Sequence, residues 1–174
     1  KRQVMAFSRT HRVGVDVMQV ALPHFEESSA SFCRTMSSSM SRSEREWVAQ
    51  GASEADVLSR LYDVWTYKEA LTKNMGLGLG YDFARIDLRF GRDVRLAMDG
   101  RAVDTFRFRE LALPCGASSR APGSRVAIAL GPRDAWEAPM SKQAVPAQQA
   151  MDEGWLRMWT YDAWLDYARA MSGV

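Results

Sequence analysis

The most regular pattern in the chain lies between Ser53 and Gly76. Val57, Leu58, Leu61, Val64, Trp65 and Leu71 recur at the spacing of one helical face. Ser53 stands where it can cap the first turn, with Asp56 at the third helical position. Gly76 stands where the left-handed conformation that ends a helix is needed. The spacing predicts one long helix between these two residues. After the apolar, glycine-rich stretch Met75 to Gly80 the period changes to two. Ala84, Ile86, Leu88 and Phe90 alternate with Arg85, Asp87 and Arg89, a strand with one wet face. Val94, Leu96 and Met98 repeat the alternation up to the turn Asp99-Gly100, and Val103 to Phe108 is expected to pair back as a hairpin. Arg125 to Leu130 is almost continuously apolar and is expected to be a central strand.

The flanks are less regular. Gln3 to Ser8 and His11 to Val17 read as short strands, followed by a turn at Leu22-Pro23. Glu27 to Ser43 is rich in serine and methionine and predicts a mobile loop with one helical turn around Phe32 to Met36. Ser43-Glu44-Arg45-Glu46 fits a capping box opening a short helix through Trp47. Pro114 to Gly123 predicts a loose stretch, and Gly131 to Gln149, with Pro132, Pro139 and Pro146, an extended connector. A short strand near Trp155 to Thr160 and a terminal helix from about Asp162 complete the reading. The sum is an α+β fold, a long helix packed on an antiparallel sheet. Residues 1–131 form the lobe, and 132–174 a C-terminal extension.

Composition narrows the class. With 47% hydrophobic and 25% charged residues, the 174-residue chain can bury a core. Its 23 basic and 21 acidic residues leave a net charge of +2, without the basic excess of a nucleic-acid binder. Cys33 and Cys115 are too few for a disulfide framework or a four-cysteine zinc site and are expected to stay reduced. No apolar run approaches the ~20 residues that span a bilayer, and no signal peptide precedes the first strand. These features predict a cytoplasmic protein without membrane contact. Lys1 at the first position reads as a fragment or a processed chain.

Two features carry chemistry. Asp16 interrupts the apolar strand Val13-Gly14-Val15-Asp16-Val17. It is either a strand-end carboxylate in water or a buried one that needs a partner or a metal. On the long helix, Trp65, Glu69 and Lys73 are four apart and share a face, with Lys68 about 100° round. Glu69 and Lys73 are either an ordinary surface pair worth ~0.3 kcal/mol or half of a site. An aspartate and a glutamate from separate elements can hold Mg²⁺, and two lysines beside them suit an anionic phosphate. The Gly76-Leu77-Gly78-Leu79-Gly80 stretch matches neither a P-loop nor a dinucleotide fingerprint. His11 and His24 lack metal-ligand spacing, and no Ser-His-Asp set can be assembled.

Val13-Gly14-Val15-Asp16, followed by Trp65-Thr66-Tyr67-Lys68-Glu69-Ala70-Leu71-Thr72-Lys73, resembles the signature of the 4′-phosphopantetheinyl transferases. That signature is a Gly-(Val/Ile)-Asp strand and a Trp-x-x-Lys-Glu-(Ala/Ser)-x-x-Lys helix. The Gly76-x-Gly78-Leu79 loop and the Met40-Ser41-Arg42-Ser43-Glu44 helix start also fit. The resemblance is to the large, two-lobed surfactin-synthetase-activating type, eukaryotic-like. It covers about residues 3–130, with a weaker echo in Trp155 to Leu165.

It implies that Asp16 and Glu69 bind Mg²⁺ and that Lys68 and Lys73 hold coenzyme A phosphates. Glu69 and Lys73 would be catalytic, and Trp65 would pack beneath the site. It also implies transfer of phosphopantetheine from coenzyme A to a serine of an acyl or peptidyl carrier protein, by an enzyme that is a monomer when full length. Met18 stands where many members carry a glutamate; animal members also have methionine there, so one metal ligand is water or lies elsewhere. The upstream Asn-x-(Ser/Thr)-His segment of the first lobe is not in this chain. The alternatives are a non-catalytic fragment or interaction module with the same lobe, and an unrelated Mg²⁺-dependent phosphate binder.

Overall fold

A computed structural model describes residues 4–77, 80–113, 123–132 and 145–158, and positions 162, 163, 166, 169 and 170. Strand β1 (Val13–Gln19) leads into helix α1 (Ser29–Thr35), a 3₁₀ turn at Ser37–Ser39, helix α2 (Arg42–Ala49) and the long helix α3 (Glu54–Met75). A 3₁₀ turn at Phe83–Arg85 opens β2 (Ile86–Phe90), β3 (Val94–Met98) and β4 (Arg101–Val103). Then come β5 (Arg107–Leu113), β6 (Ser124–Leu130), β7 (Val145–Pro146) and α4 (Ala147–Asp152). The main sheet has the order β1-β6-β5-β7, antiparallel except for the short parallel pairing of β7 with β5. A second antiparallel sheet has the order β2-β3-β4. The fold is α+β.

Helix α3 forms where its signals lie. Ser53 accepts from the Asp56 N–H, and Gly76, at φ 73°, closes the last turn. Tyr67, Ala70 and Leu71 pack against Ile86, Leu88, Val94 and Leu96 of the small sheet and against Phe108, Ala127 and Ala129 of the main one. The opposite face of the main sheet, with Leu111 and Val126, is covered by Ala147 and Ala150 of α4. A third cluster joins Phe32, Met40 and Val48 to the first half of α3.

Arg125 on β6 sits between two buried carboxylates, 3.5 Å from Asp63 of α3 and 3.5 Å from Glu110 of β5, and Tyr67 donates to Glu110 at 3.1 Å. This group fastens α3 to the sheet. Arg125→Ala is expected to cost about 3 kcal/mol, because it leaves two carboxylates buried without their cation. Denaturant titration reads the loss, and adding Asp63→Asn and Glu110→Gln should recover most of it.

Several expectations are corrected. Val4 to Ser8 is not a strand; Val4 packs against the β5–β6 cluster, while Met5 and Phe7 are exposed. The serine-rich stretch holds a true helix, α1, because the Ser28 side chain caps it at the Ser31 N–H. The capping box lies two residues earlier than read, with Ser41 and Glu44 bonding each other's backbone N–H, and α2 continues to Ala49. Val103 to Phe108 is no single strand. The chain leaves the small sheet after Val103 and enters the main one at Arg107. Phe106 and Phe108 are both buried, so the core draws the second segment away from the hairpin.

Arg125 to Leu130 does lie centrally, between β1 and β5. The connector contains β7 and α4; its residues 133–144 lie outside the described residues. Trp155 to Met158 is not a strand, and Trp159 and Thr160 lie outside the described residues, as do Pro114 to Pro122. Positions 162, 163, 166, 169 and 170 are helical, as the terminal helix requires.

Candidate active site

Strand β1 runs directly under α3. Its Gly14, Asp16 and Met18 alternate onto the helix side, while Val15 and Val17 join the cluster on the other face. The approach is close. A Cβ at Gly14 would lie 2.1 Å from the Ala70 carbonyl oxygen and 2.3 Å from the Asn74 nitrogen. Asn74 clamps the contact, its side-chain amide donating to the Arg12 and Ala129 carbonyls at 2.9 and 3.0 Å.

This contact decides between the two readings of Asp16: the residue is 7% exposed, not a solvated strand end. Lys73 Nζ donates to its Oδ1 at 2.7 Å. Oδ2 is buried without a hydrogen-bond partner among the described residues. Glu69, one helical turn before Lys73, is 6% exposed. Burial chiefly raises its carboxyl pKa, and the Asp16 charge raises it further, with Lys73 opposing. Two carboxylates and an ammonium thus meet from positions far apart in sequence. The Lys73 side chain remains 45% exposed and can reach a ligand.

The residues present fit a divalent cation. Among the described residues the buried Asp16 oxygen has no donor, and a cation between Asp16 and Glu69 would relieve their mutual repulsion. Among the described residues no three His, Cys, Asp or Glu side chains converge on one point, so a cation here would have this pair as its protein ligands. Met18 lies on the same strand face, packed toward the cluster of Phe32 and Tyr62. Its thioether is a soft group that a hard cation does not select.

The structure does not bring Lys68 to this group. Its ammonium is buried and donates to the Ser39 and Phe83 carbonyls at 2.9 and 2.8 Å, with Glu44 at 2.6 Å. Trp65 packs on Phe83 with ring centroids 5.1 Å apart, on the same side as that lysine's acceptors. Sequence reasoning missed the roles of Gly14, Asn74 and Glu44. The glycine before Asp16 was the available signal for close helix–strand approach.

A pH dependence follows. The folded state holds the Glu69 proton more tightly than the unfolded chain does. In the absence of cation its contribution therefore falls as pH rises from the ordinary glutamate range through the raised one. A divalent cation binds the ionised form, so its stabilisation grows over the same interval. Thermal melts with and without Mg²⁺ should show a larger Mg²⁺-induced increase in Tm at pH 7 than at pH 5. An increase independent of pH would remove Glu69 from the cation site.

The β1–α3 contact of this α+β fold thus presents a carboxylate pair beside the half-exposed Lys73 side chain. The chain belongs to the 4′-phosphopantetheinyl transferase superfamily, whose pattern matches residues 12–126. It is 37% identical over 103 residues to the 4′-phosphopantetheinyl transferase pptA of Paxillus involutus, covering 58% of this chain and 39% of that protein. It is 33% identical over 104 residues to a phosphopantetheinyl transferase of a Thraustochytrium species, covering 56% and 36%. It is 26% identical over 117 residues to the human L-aminoadipate-semialdehyde dehydrogenase-phosphopantetheinyl transferase, covering 62% and 38%. These relatives are eukaryotic, in line with the type read from the motifs. The chain spans well under half the length of each.

Proposed function

We propose that the protein carrying this chain transfers the 4′-phosphopantetheine group of coenzyme A to a serine of an acyl or peptidyl carrier protein, with Mg²⁺. The observation that carries this is the meeting of Asp16, Glu69 and Lys73 across the β1–α3 contact, with one Asp16 oxygen buried and unpartnered among the described residues. The names of the relatives support the reaction type. Residues 1–131 would be the second of two lobes and 132–174 an extension that adds β7 to its sheet and α4 over one face of it.

In this reading Asp16 and Glu69 hold the cation, which supplies charge neutralisation at the pyrophosphate of coenzyme A. Lys73 binds a phosphate oxygen and stabilises negative charge as it grows there. Glu69, directly or through a water, takes the proton of the carrier serine. The serine oxygen forms its bond to the β-phosphorus as the bond to the departing adenosine 3′,5′-bisphosphate breaks. Trp65 packs on Phe83, on the Lys68 side of the helix. Lys68 has its three donors engaged within the protein, so phosphate binding falls to Lys73.

No helix among the described residues is long and apolar enough to cross a membrane. A cytoplasmic setting, a monomeric state and the absence of a nucleic-acid partner belong to the proposal. The test is incubation of the full-length protein with a fluorescent coenzyme A, Mg²⁺ and an apo carrier protein. Label on the carrier serine is the expected result. Cation binding without label transfer would favour the non-catalytic interaction module.

A further inference from the structure

Lys68 neighbours Glu69 in sequence but points to another side of α3, and its surroundings are those of a core residue. Its side chain is 1% exposed. Each of its three N–H groups meets an acceptor on a different segment: Ser39 in the first 3₁₀ turn, Phe83 in the second, and Glu44 in α2. Glu44 is itself fully buried. Its Oε2 also accepts from the Ser41 N–H at 2.7 Å, and its Oε1 accepts from the Leu88 N–H at 2.8 Å on edge strand β2. One carboxylate therefore ties α2, α3 and the small sheet together. Burial raises the Glu44 carboxyl pKa and lowers that of the Lys68 ammonium, and their 2.6 Å contact opposes both shifts.

Stability alone does not call for such a pair. Removing two charges from water costs several kcal/mol per ion, and an apolar pair of equal volume often serves as well or better. What the pair provides is position. A tetrahedral ammonium held by three acceptors on three segments fixes how α3 is turned about its axis. Glu69 follows Lys68 by one residue, about 100° round the helix. A 20° turn of the helix would sweep a carboxylate ~6 Å from the axis through about 2 Å, more than a functional constellation tolerates.

We propose that Glu44 is a positioning residue for the transfer reaction: through Lys68 it sets the rotation of α3 at which Glu69 and Asp16 share one cation. The proposal rests on the reading of Asp16 and Glu69 as cation ligands. It assigns to the glutamate of the α2 capping box a role that reaches beyond capping.

The test uses Glu44→Gln in the full-length protein. Glutamine keeps the volume and an acceptor for the Leu88 N–H, and removes the counter-charge that holds the Lys68 ammonium. Mn²⁺ binding, read directly from the electron paramagnetic resonance of the free ion, is expected to weaken by about fivefold or more. At saturating coenzyme A, kcat should fall about tenfold or more, with KM for coenzyme A unchanged. A helix-capping role alone would lower the melting temperature and leave Mn²⁺ binding by the folded protein at the parental value.

Should Glu44→Gln fail to fold, Glu44→Gln with Lys68→Met gives a neutral pair of similar volume, and the same Mn²⁺ shift is expected. Parental Mn²⁺ binding in a folded variant overturns the proposal, whereas a parent protein that binds no Mn²⁺ overturns the cation-site reading beneath it.

Discussion

Glu69→Gln is expected to lower transfer by about 10²-fold or more while leaving the fold intact. Glutamine matches glutamate in shape and in helix propensity, so α3 should keep its register. What disappears is one of the two charges that face each other across the β1–α3 contact. Without cation, the variant should melt no lower than the parent, because the substitution removes a buried carboxylate that Asp16 repels. With Mg²⁺, the parent should gain stability and the variant should not. Activity assays and melts on the same preparations separate the two effects. A variant that retains near-parental turnover would remove Glu69 from the chemistry, and one that unfolds would make it a structural residue.

Gly14→Ala has the largest expected effect on folding. The added Cβ would meet backbone atoms of α3, the Ala70 oxygen at 2.1 Å, the Asn74 nitrogen at 2.3 Å and the Asn74 Cα at 2.8 Å. No side-chain rotation relieves a clash with backbone, so helix and strand must separate. The cost should be on the order of 3 kcal/mol or more, at the upper end for overpacked cores, which corresponds to a fall of about 10 °C in Tm for a chain of this size. The effect should reach the chemistry as well, because Asp16 lies two residues along the displaced strand. Gly80→Ala is the control: nothing lies within 4 Å of its Cβ, and it should melt with the parent. Equal melting of both variants would show that β1 does not lie against α3 as described.

The parts of this architecture legible in the sequence are those governed by local signals. Ser53 and Gly76 bound α3 because a serine cap and a left-handed glycine act within one turn. Asp99-Gly100 marks the β3–β4 turn because both residues take positive φ. The alternation of Ile86, Leu88 and Phe90 with charged residues marks β2 for the same reason of locality.

What was not legible depends on tertiary contacts. The Val4 to Phe7 segment has the composition of a strand but forms none. The crossing from β4 to β5 is set by two phenylalanines entering a core built by distant elements. In the site, the joining of Asp16 to Lys73 was readable only through the family resemblance, since strand and helix spacing fix faces and not their meeting. Lys68 shows the limit most plainly. Beside Glu69 on an otherwise ordinary helix it reads as a solvated or phosphate-binding lysine. Its burial depends on Ser39, Glu44 and Phe83, which no helical period connects to it.

In the proposed reading Asp16 and Glu69 together hold one divalent cation. Mn²⁺ titration of the full-length protein, followed by the resonance of the free ion, tests it most directly when run in parallel on the parent, Asp16→Asn and Glu69→Gln. One Mn²⁺ bound per parent chain and displaced by excess Mg²⁺ is expected, with binding lost in each variant while both remain folded. Mn²⁺ bound with parental affinity by either folded variant would contradict it.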